Sequence, residues 1–148
     1  MATLPEGKTQ KVAEKFGDRL TWDVKRPNRI YVTVDPDLAL DVCRYIFRDL
    51  YGRFAIITGI HTPEGFELLY HFEFPEEKRI ITVKTLIRDR ENPRIQSLTP
   101  DIPGAGFIER EIRELLGIEF VGHPEPEHLL LVDDWPEGKY PLRRDYHG

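Results

Sequence analysis

The sequence predicts an α+β fold: a two-layer sandwich with a mixed or antiparallel sheet, helices on one face, and an extended C-terminal tail. Three observations carry that prediction. Phe66, Leu68, Tyr70, Phe72 and Phe74 alternate with Glu67 and Glu73 among the residues between them, which is the period of a half-buried strand. Leu38, Val42, Tyr45, Ile46 and Leu50 recur at helical spacing, as do Ile108, Ile112, Leu115 and Leu116. The order helix, two strands, helix, three strands, helix then describes two layers around one core.

At the start of the chain, Thr3-Leu4-Pro5-Glu6 has capping-box spacing, and Val12, Ala13 and Phe16 ahead of Gly17 predict a helix of about three turns packed on a sheet edge. Leu20 to Val24 and Arg29 to Val34 alternate around Arg26-Pro27-Asn28, which is turn chemistry, so they read as a hairpin. Asp35 and Pro36 suit the N-cap and first position of the next helix, which runs until Gly52. Phe54 to Ile60 is nearly all apolar and reads as a central strand. Thr62-Pro63-Glu64-Gly65 turns the chain into the alternating strand, and Pro75-Glu76-Glu77-Lys78 turns it again into Ile80 to Arg88, antiparallel to its predecessor. Asp89 to Gly106 is a proline-rich connection. The helix that follows carries the opposite-charge pairs Glu109/Arg113 and Arg110/Glu114 at i, i+4 and stops at Gly117, ahead of a β-prone run from Ile118 to Val121.

Composition bounds the function. At 148 residues the chain is read as one core-bearing domain, a size that buries about 68–70% of the unfolded surface. A net charge of -5 argues against a nucleic-acid footprint and against general attraction to anionic lipid. No apolar run approaches a membrane span and Met1 opens no signal segment, so the expectation is a cytoplasmic protein whose membrane association comes through a partner. Cys43 is the one cysteine, which excludes a disulfide or a cysteine-held cluster within the chain. Asn, Gln, Met and Cys are scarce beside Glu, Arg and Pro, the balance of a thermophilic source.

The C-terminal segment has neither helical nor strand period. Leu129, Leu130, Leu131, Trp135, Tyr140, Leu142 and Tyr146 nonetheless need cover. The expected organisation is therefore a domain over residues 1–122, folding by itself, and an extended partner-binding tail over residues 123–148 that crosses a neighbouring subunit.

Glu109-Arg110-Glu111, Gly117-Ile118, Phe120, Gly122-His123-Pro124, Leu130, Asp133-Asp134-Trp135, Gly138 and Pro141-Leu142-Arg143-Arg144-Asp145-Tyr146 together resemble the signature of the C subunit of NADH:quinone oxidoreductase, respiratory complex I. The same domain occurs in membrane-bound NiFe-hydrogenases and their sulfur-reducing relatives. Leu115-Leu116-Gly117 departs from the aspartate-containing aromatic-glycine spelling of the NADH dehydrogenases, and Trp135 to Pro141 is similar to the hydrogenase-type spelling. The resemblance thus implies the hydrogenase or sulfur-reductase branch first and a quinone-reducing complex second. It implies an accessory subunit without cofactor or catalytic residues, on the cytoplasmic side of the membrane in an ion-translocating respiratory assembly. Such a subunit braces a NiFe-hydrogenase-like large subunit and a small iron–sulfur subunit; iron–sulfur clusters and any NiFe centre belong to those partners. The partner-binding residues it implies are Glu109, Arg110, Glu111, Gly122, His123, Pro124, Asp133, Asp134, Trp135, Pro141, Leu142, Arg143, Arg144, Asp145 and Tyr146.

Other constellations weigh less. Glu109 and Glu111 project about 200° apart on a helix and cannot share acid–base work unaided, so with Arg110 and Glu114 they read as a solvated or partner-facing stripe. His61, His71, His123 and His128, with Glu125 and Glu127, raise a stand-alone metal-dependent hydrolase, but spacing fixes no third ligand. Ser97 lacks a glycine elbow and Cys43 falls on an apolar helix face, leaving no nucleophile. Arg143-Arg144-Asp145 suits an anion or an interfacial ion pair, and Trp135 and Tyr146 are the candidate interface anchors. A free-standing protein-binding adaptor is the remaining rival.

Overall fold

The computed structural model describes residues 7–124 and 140–144. Helix α1 (Lys8–Phe16) leads into a hairpin of β1 (Thr21–Arg26) and β2 (Arg29–Thr33). Helix α2 (Pro36–Arg48) then crosses to a meander of β3 (Arg53–Thr62), β4 (Gly65–Phe74) and β5 (Arg79–Ile87). The five strands form one sheet in the order β1-β2-β5-β4-β3. Its pairings are antiparallel except β2 with β5, where Ile30 lies opposite Ile81 in a parallel register. The mixed α+β sandwich is therefore as the periodicities predict.

Local chemistry sets the turns. Asp35 is extended and Pro36 is the first helical residue of α2, while the Asp35 carbonyl accepts from Leu38 N at 3.0 Å. Between β3 and β4 the Thr62 hydroxyl donates to the Gly65 carbonyl at 2.9 Å. Gly65 has φ 148°, and a Cβ there would sit 2.2 Å from the Ile87 carbonyl oxygen. Only glycine lets β4 begin this close to the end of β5.

One face of the sheet makes the core. Phe66, Leu68, Tyr70, Phe72 and Phe74 of β4 are buried there beneath Val42, Cys43 and Ile46 of α2. Helix α3 (Gly106–Leu116) covers the β3 end of the same face; Gly59 of β3 lies under Ile112 and Leu116, where a Cβ would come 3.0 Å from Leu116.

Three expectations need correction. The apolar run from Phe54 to Ile60 is an edge strand, not a central one. It is apolar on both sides because its inner side carries α3 while Ile56 and Ile60 stand 49% and 44% exposed on the outer side. Helix α1 packs on α2 instead of a sheet edge, with Phe16 edge-on to Tyr45 at 5.8 Å; its proposed capping box lies outside the described residues. The proline-rich connection contains a strand, β6 (Arg94–Gln96), which pairs in parallel with β7 (Glu119–Val121). That pair brackets α3 in sequence and brings the segment just before the helix beside the segment just after it.

Candidate functional site

The stretch that the sequence marks as its signature is built around the two ends of α3. Glu109 lies in register with the buried Ile112 and Leu116 of the helix and behind the buried Ala105 that precedes it, so a carboxylate lies in an apolar seam with its side chain 0% exposed. A buried charge persists only when it is hydrogen-bonded. Here the segment after β6 supplies the donors. Ser97 Oγ and Thr99 Oγ1 each donate to Glu109 Oε1 at 2.6 Å, and Leu98 N donates to Oε2 at 2.7 Å. Ser97 Oγ also accepts from Thr99 N at 3.1 Å. Beside this cluster His123 Nε2 lies 3.0 Å from the Gly106 carbonyl and 3.9 Å from Glu109 Oε1. The carboxylate thus ties the loop before α3 to the helix, and His123 ties the strand after α3 to the same turn.

The C-terminal end of α3 is closed by the returning chain. Gly117 adopts the left-handed conformation (φ 81°, ψ 19°) and its N–H reaches the Arg113 carbonyl at 2.9 Å. Leu142 N donates to the Leu115 carbonyl at 2.9 Å, and Arg143 Nε donates to the Leu116 carbonyl at 2.6 Å. Helix ends leave such carbonyls without partners, and a cation there also opposes the helix dipole. The Arg143 guanidinium lies 5.0 Å from the Phe66 ring centre and 4.4 Å from that of Tyr140. Tyr140 and Arg143 close over Gly117, where a Cβ would approach the Tyr140 ring to 2.5 Å.

The model of the respiratory-chain NADH dehydrogenase 30 kDa subunit matches residues 32–148, which takes in the whole of this arrangement. The chain belongs to that family. Within it, the C subunit of the F420H2 dehydrogenase of Methanosarcina mazei is 34% identical across 99% of this chain and 91% of that protein. Hydrogenase-4 component G of Escherichia coli is 37% identical over 80% of the chain, which spans only 22% of that longer protein. Among solved structures, a chain of the membrane-bound sulfane sulfur reductase, an archaeal respiratory membrane complex, superposes with a TM-score of 0.79 at 28% identity, covering 95% of this chain and 84% of that one. The 30 kDa family resemblance read from the sequence is therefore confirmed, as is its α+β fold.

This member of the family distributes its signature residues unevenly. Glu109 is not part of an exposed or partner-facing stripe; it is buried because it falls in register with Ile112 and Leu116. Glu114, also read as exposed, is only 2% exposed. Glu111 and Gly122 are exposed, Arg110 is intermediate, and Pro124, Leu142 and Arg144 are at the surface with Pro141 half-buried. His123 and Arg143 face their own domain through the contacts above. Tyr140–Arg144 thereby meshes with the core, contrary to the expectation that nothing after residue 122 does so. Asp133, Asp134, Trp135, Asp145 and Tyr146 lie outside the described residues. Sequence reading missed Ser97 and Thr99 as partners of Glu109; the available signal was a carboxylate at a helical position in line with Ile112 and Leu116, which demands donors nearby.

The histidines do not converge. His71 sits on the outer sheet face between Thr58 and Thr82, its ring nitrogens 3.2 Å and 3.0 Å from their hydroxyls. Burial, helped by Arg29, lowers its pKa. His61 stacks on Phe66 at 4.5 Å, and His123 is at the N-terminal end of α3; His128 lies outside the described residues. Among the described residues no three metal-ligating side chains gather. Cys43 is buried, and burial together with the nearby Glu109 charge raises its thiol pKa well above the ordinary value, opposing the nucleophilic thiolate.

Proposed function

We propose that this chain is a cofactor-free hydrophilic subunit of a membrane-bound respiratory redox complex. It braces a NiFe-hydrogenase-like large subunit and the adjacent iron–sulfur subunit from the cytoplasmic side. The observation that carries the reading is the near end-to-end match to the C subunit of a dehydrogenase, 34% identical over 99% of this chain and 91% of that protein. The match to hydrogenase-4 component G and the likeness to the sulfane sulfur reductase chain favour the hydrogenase or sulfur-reductase branch. A quinone-reducing complex is the second reading, favoured by the NADH dehydrogenase family match itself.

The surface supports a bracing role. The exposed large hydrophobic residues among those described are Tyr51, Ile56, Ile60, Phe107 and Leu142. Ile56 and Ile60 belong to β3, Tyr51 precedes it by two positions, Phe107 belongs to α3, and Leu142 is hydrogen-bonded to its end. Apolar residues left exposed on β3, just before it, on α3 and on the chain docked at its end are candidate contacts for partners. Arg110, Glu111, Gly122, Pro124, Pro141, Leu142 and Arg144, at least partly exposed, are with Asp133, Asp134, Trp135, Asp145 and Tyr146 the proposed partner-binding set. Glu109, His123 and Arg143 support that surface from beneath. No described helix is long and apolar enough to cross a membrane, so attachment through partners is part of the proposal.

The purified full chain should show no visible absorbance and no stoichiometric metal. The same chain, tagged and captured from solubilised membranes of its source, should bring iron–sulfur absorbance with it. One equivalent of iron, nickel or zinc retained by the isolated chain through chelation would overturn the cofactor-free assignment.

A further inference from the structure

Beside the C-terminal end of α3 is a small cavity of about 220 Å³, lined by His61, Thr62, Phe66, Arg90, Arg143 and Arg144. Among the described residues its lining contains three arginines and no carboxylate, in a chain whose net charge is -5. Arg143 is engaged by the Leu116 carbonyl and two aromatic rings. The side chains of Arg90 and Arg144 make no ion pair among the described residues. Like charges brought together repel, and guanidinium groups suit planar oxyanions, so a recess lined in this way fits a carboxylate.

Three separate segments form the recess, and each is held in place. The β3–β4 turn is fixed by the Thr62 hydroxyl on the Gly65 carbonyl. The loop leaving β5 is fixed by Asp89, whose Oδ1 accepts from Glu91 N at 3.1 Å and Asn92 N at 3.0 Å, with Arg90 in the turn so formed. The returning chain is fixed by Leu142 N on the Leu115 carbonyl and by Arg144 N donating to His61 Nδ1 at 3.0 Å. Because Nδ1 accepts, the neutral ring carries its proton on Nε2. His61 is held flat against Phe66 at 4.5 Å with 17° between the rings.

Size narrows the ligand. Pockets for free cofactors and drug-sized molecules occupy about 300–1,000 Å³, whereas this recess suits the end of one acidic side chain. Arg143 and Arg144 of its lining directly follow Leu142, which is 59% exposed. We propose that this recess receives the carboxylate of an aspartate or glutamate on the neighbouring subunit, an inference that rests on the subunit reading above. Paired guanidinium forks of Arg90 and Arg144 grip its two oxygens, while Arg143 supplies the positive floor beside the neutral His61 ring.

The test has two arms. In the isolated, isotope-labelled full chain, succinate should shift the Nε–Hε resonances of Arg90 and Arg144 saturably, at millimolar concentration. Chloride at matched ionic strength should not, and Arg90→Gln and Arg144→Gln should each abolish the response at unchanged melting temperature. In the assembled complex, phenylglyoxal should modify Arg90 and Arg144 at least tenfold more slowly than in the isolated chain. Chloride shifts equal to those of succinate, or a chain already protected when alone, would overturn the carboxylate site. Undiminished labelling in an intact complex would overturn the docking of a partner there. Succinate binding by a chain that enters no complex would instead leave the carboxylate site standing and overturn the subunit reading.

Discussion

Glu109→Ala should lower the stability of the isolated full chain by about 4 kcal/mol, because it strands buried donors whose unsatisfied cost is about 1–3 kcal/mol each and not fully additive. The stranded groups are the Ser97 and Thr99 hydroxyls and the Leu98 N–H. For a chain of this size the melting temperature should fall by about 10 °C. Glu109→Gln should cost less, about 2–3 kcal/mol, since its amide oxygen can still accept while its NH2 group confronts a donor. Glu111→Gln, on the exposed side of the same helix, should change stability by less than about 0.5 kcal/mol. Equal melting temperatures for the Glu109 and Glu111 variants would mean that the buried cluster does not hold the loop to α3.

The second large effect concerns the returning chain. Ending the protein at Lys139 removes the Leu142 and Arg143 hydrogen bonds to α3, the stacking of Arg143, and the Tyr140 cover over Gly117. A hydrogen bond contributes about 1 kcal/mol and one involving a charge about 1.5–3; with the lost ring packing, the expected destabilisation is about 3–4 kcal/mol. Thermal melting of the full and shortened chains measures this directly. Hydrogen exchange should quicken first at the last turn of α3, whose carbonyls lose their donors. An unchanged melting curve would show that residues 1–122 are self-sufficient, as the sequence alone led us to expect.

These two effects mark where sequence reasoning succeeded and where it stopped. The elements were legible because their periods are local: β4 alternates, and α2 and α3 repeat their apolar positions. The same reasoning placed Glu109 wrongly, because it counted the charges on α3 and paired them with arginines four residues on. The geometry of the buried stripe, in which Glu109 lies in register with Ile112 and Leu116, carries the opposite message. The edge position of β3 was hidden for a related reason, since an apolar run looks the same whether its second face meets a helix layer or stands open. The docking of Tyr140–Arg144 had no local signal at all. It depends on backbone carbonyls at the end of α3 finding donors about 27 residues later in the chain.

The family signature therefore serves two purposes within one short stretch: its inward residues fix α3 to the sheet, and its outward residues are the proposed contact with neighbouring subunits. Phe107 separates these purposes cleanly. It is 68% exposed on α3, and its ring is covered only in part by the Arg110 guanidinium 5.8 Å away. Phe107→Asp should leave the isolated chain melting within about 2 °C of the parent, since an exposed substitution changes stability by about 0.5 kcal/mol. The decisive measurement is the fraction of this variant that co-purifies with the iron–sulfur-containing membrane complex, compared with the parent chain at equal expression. The account predicts at least a tenfold loss of recovery; recovery equal to the parent's would contradict the assignment of α3's outer face to the assembly.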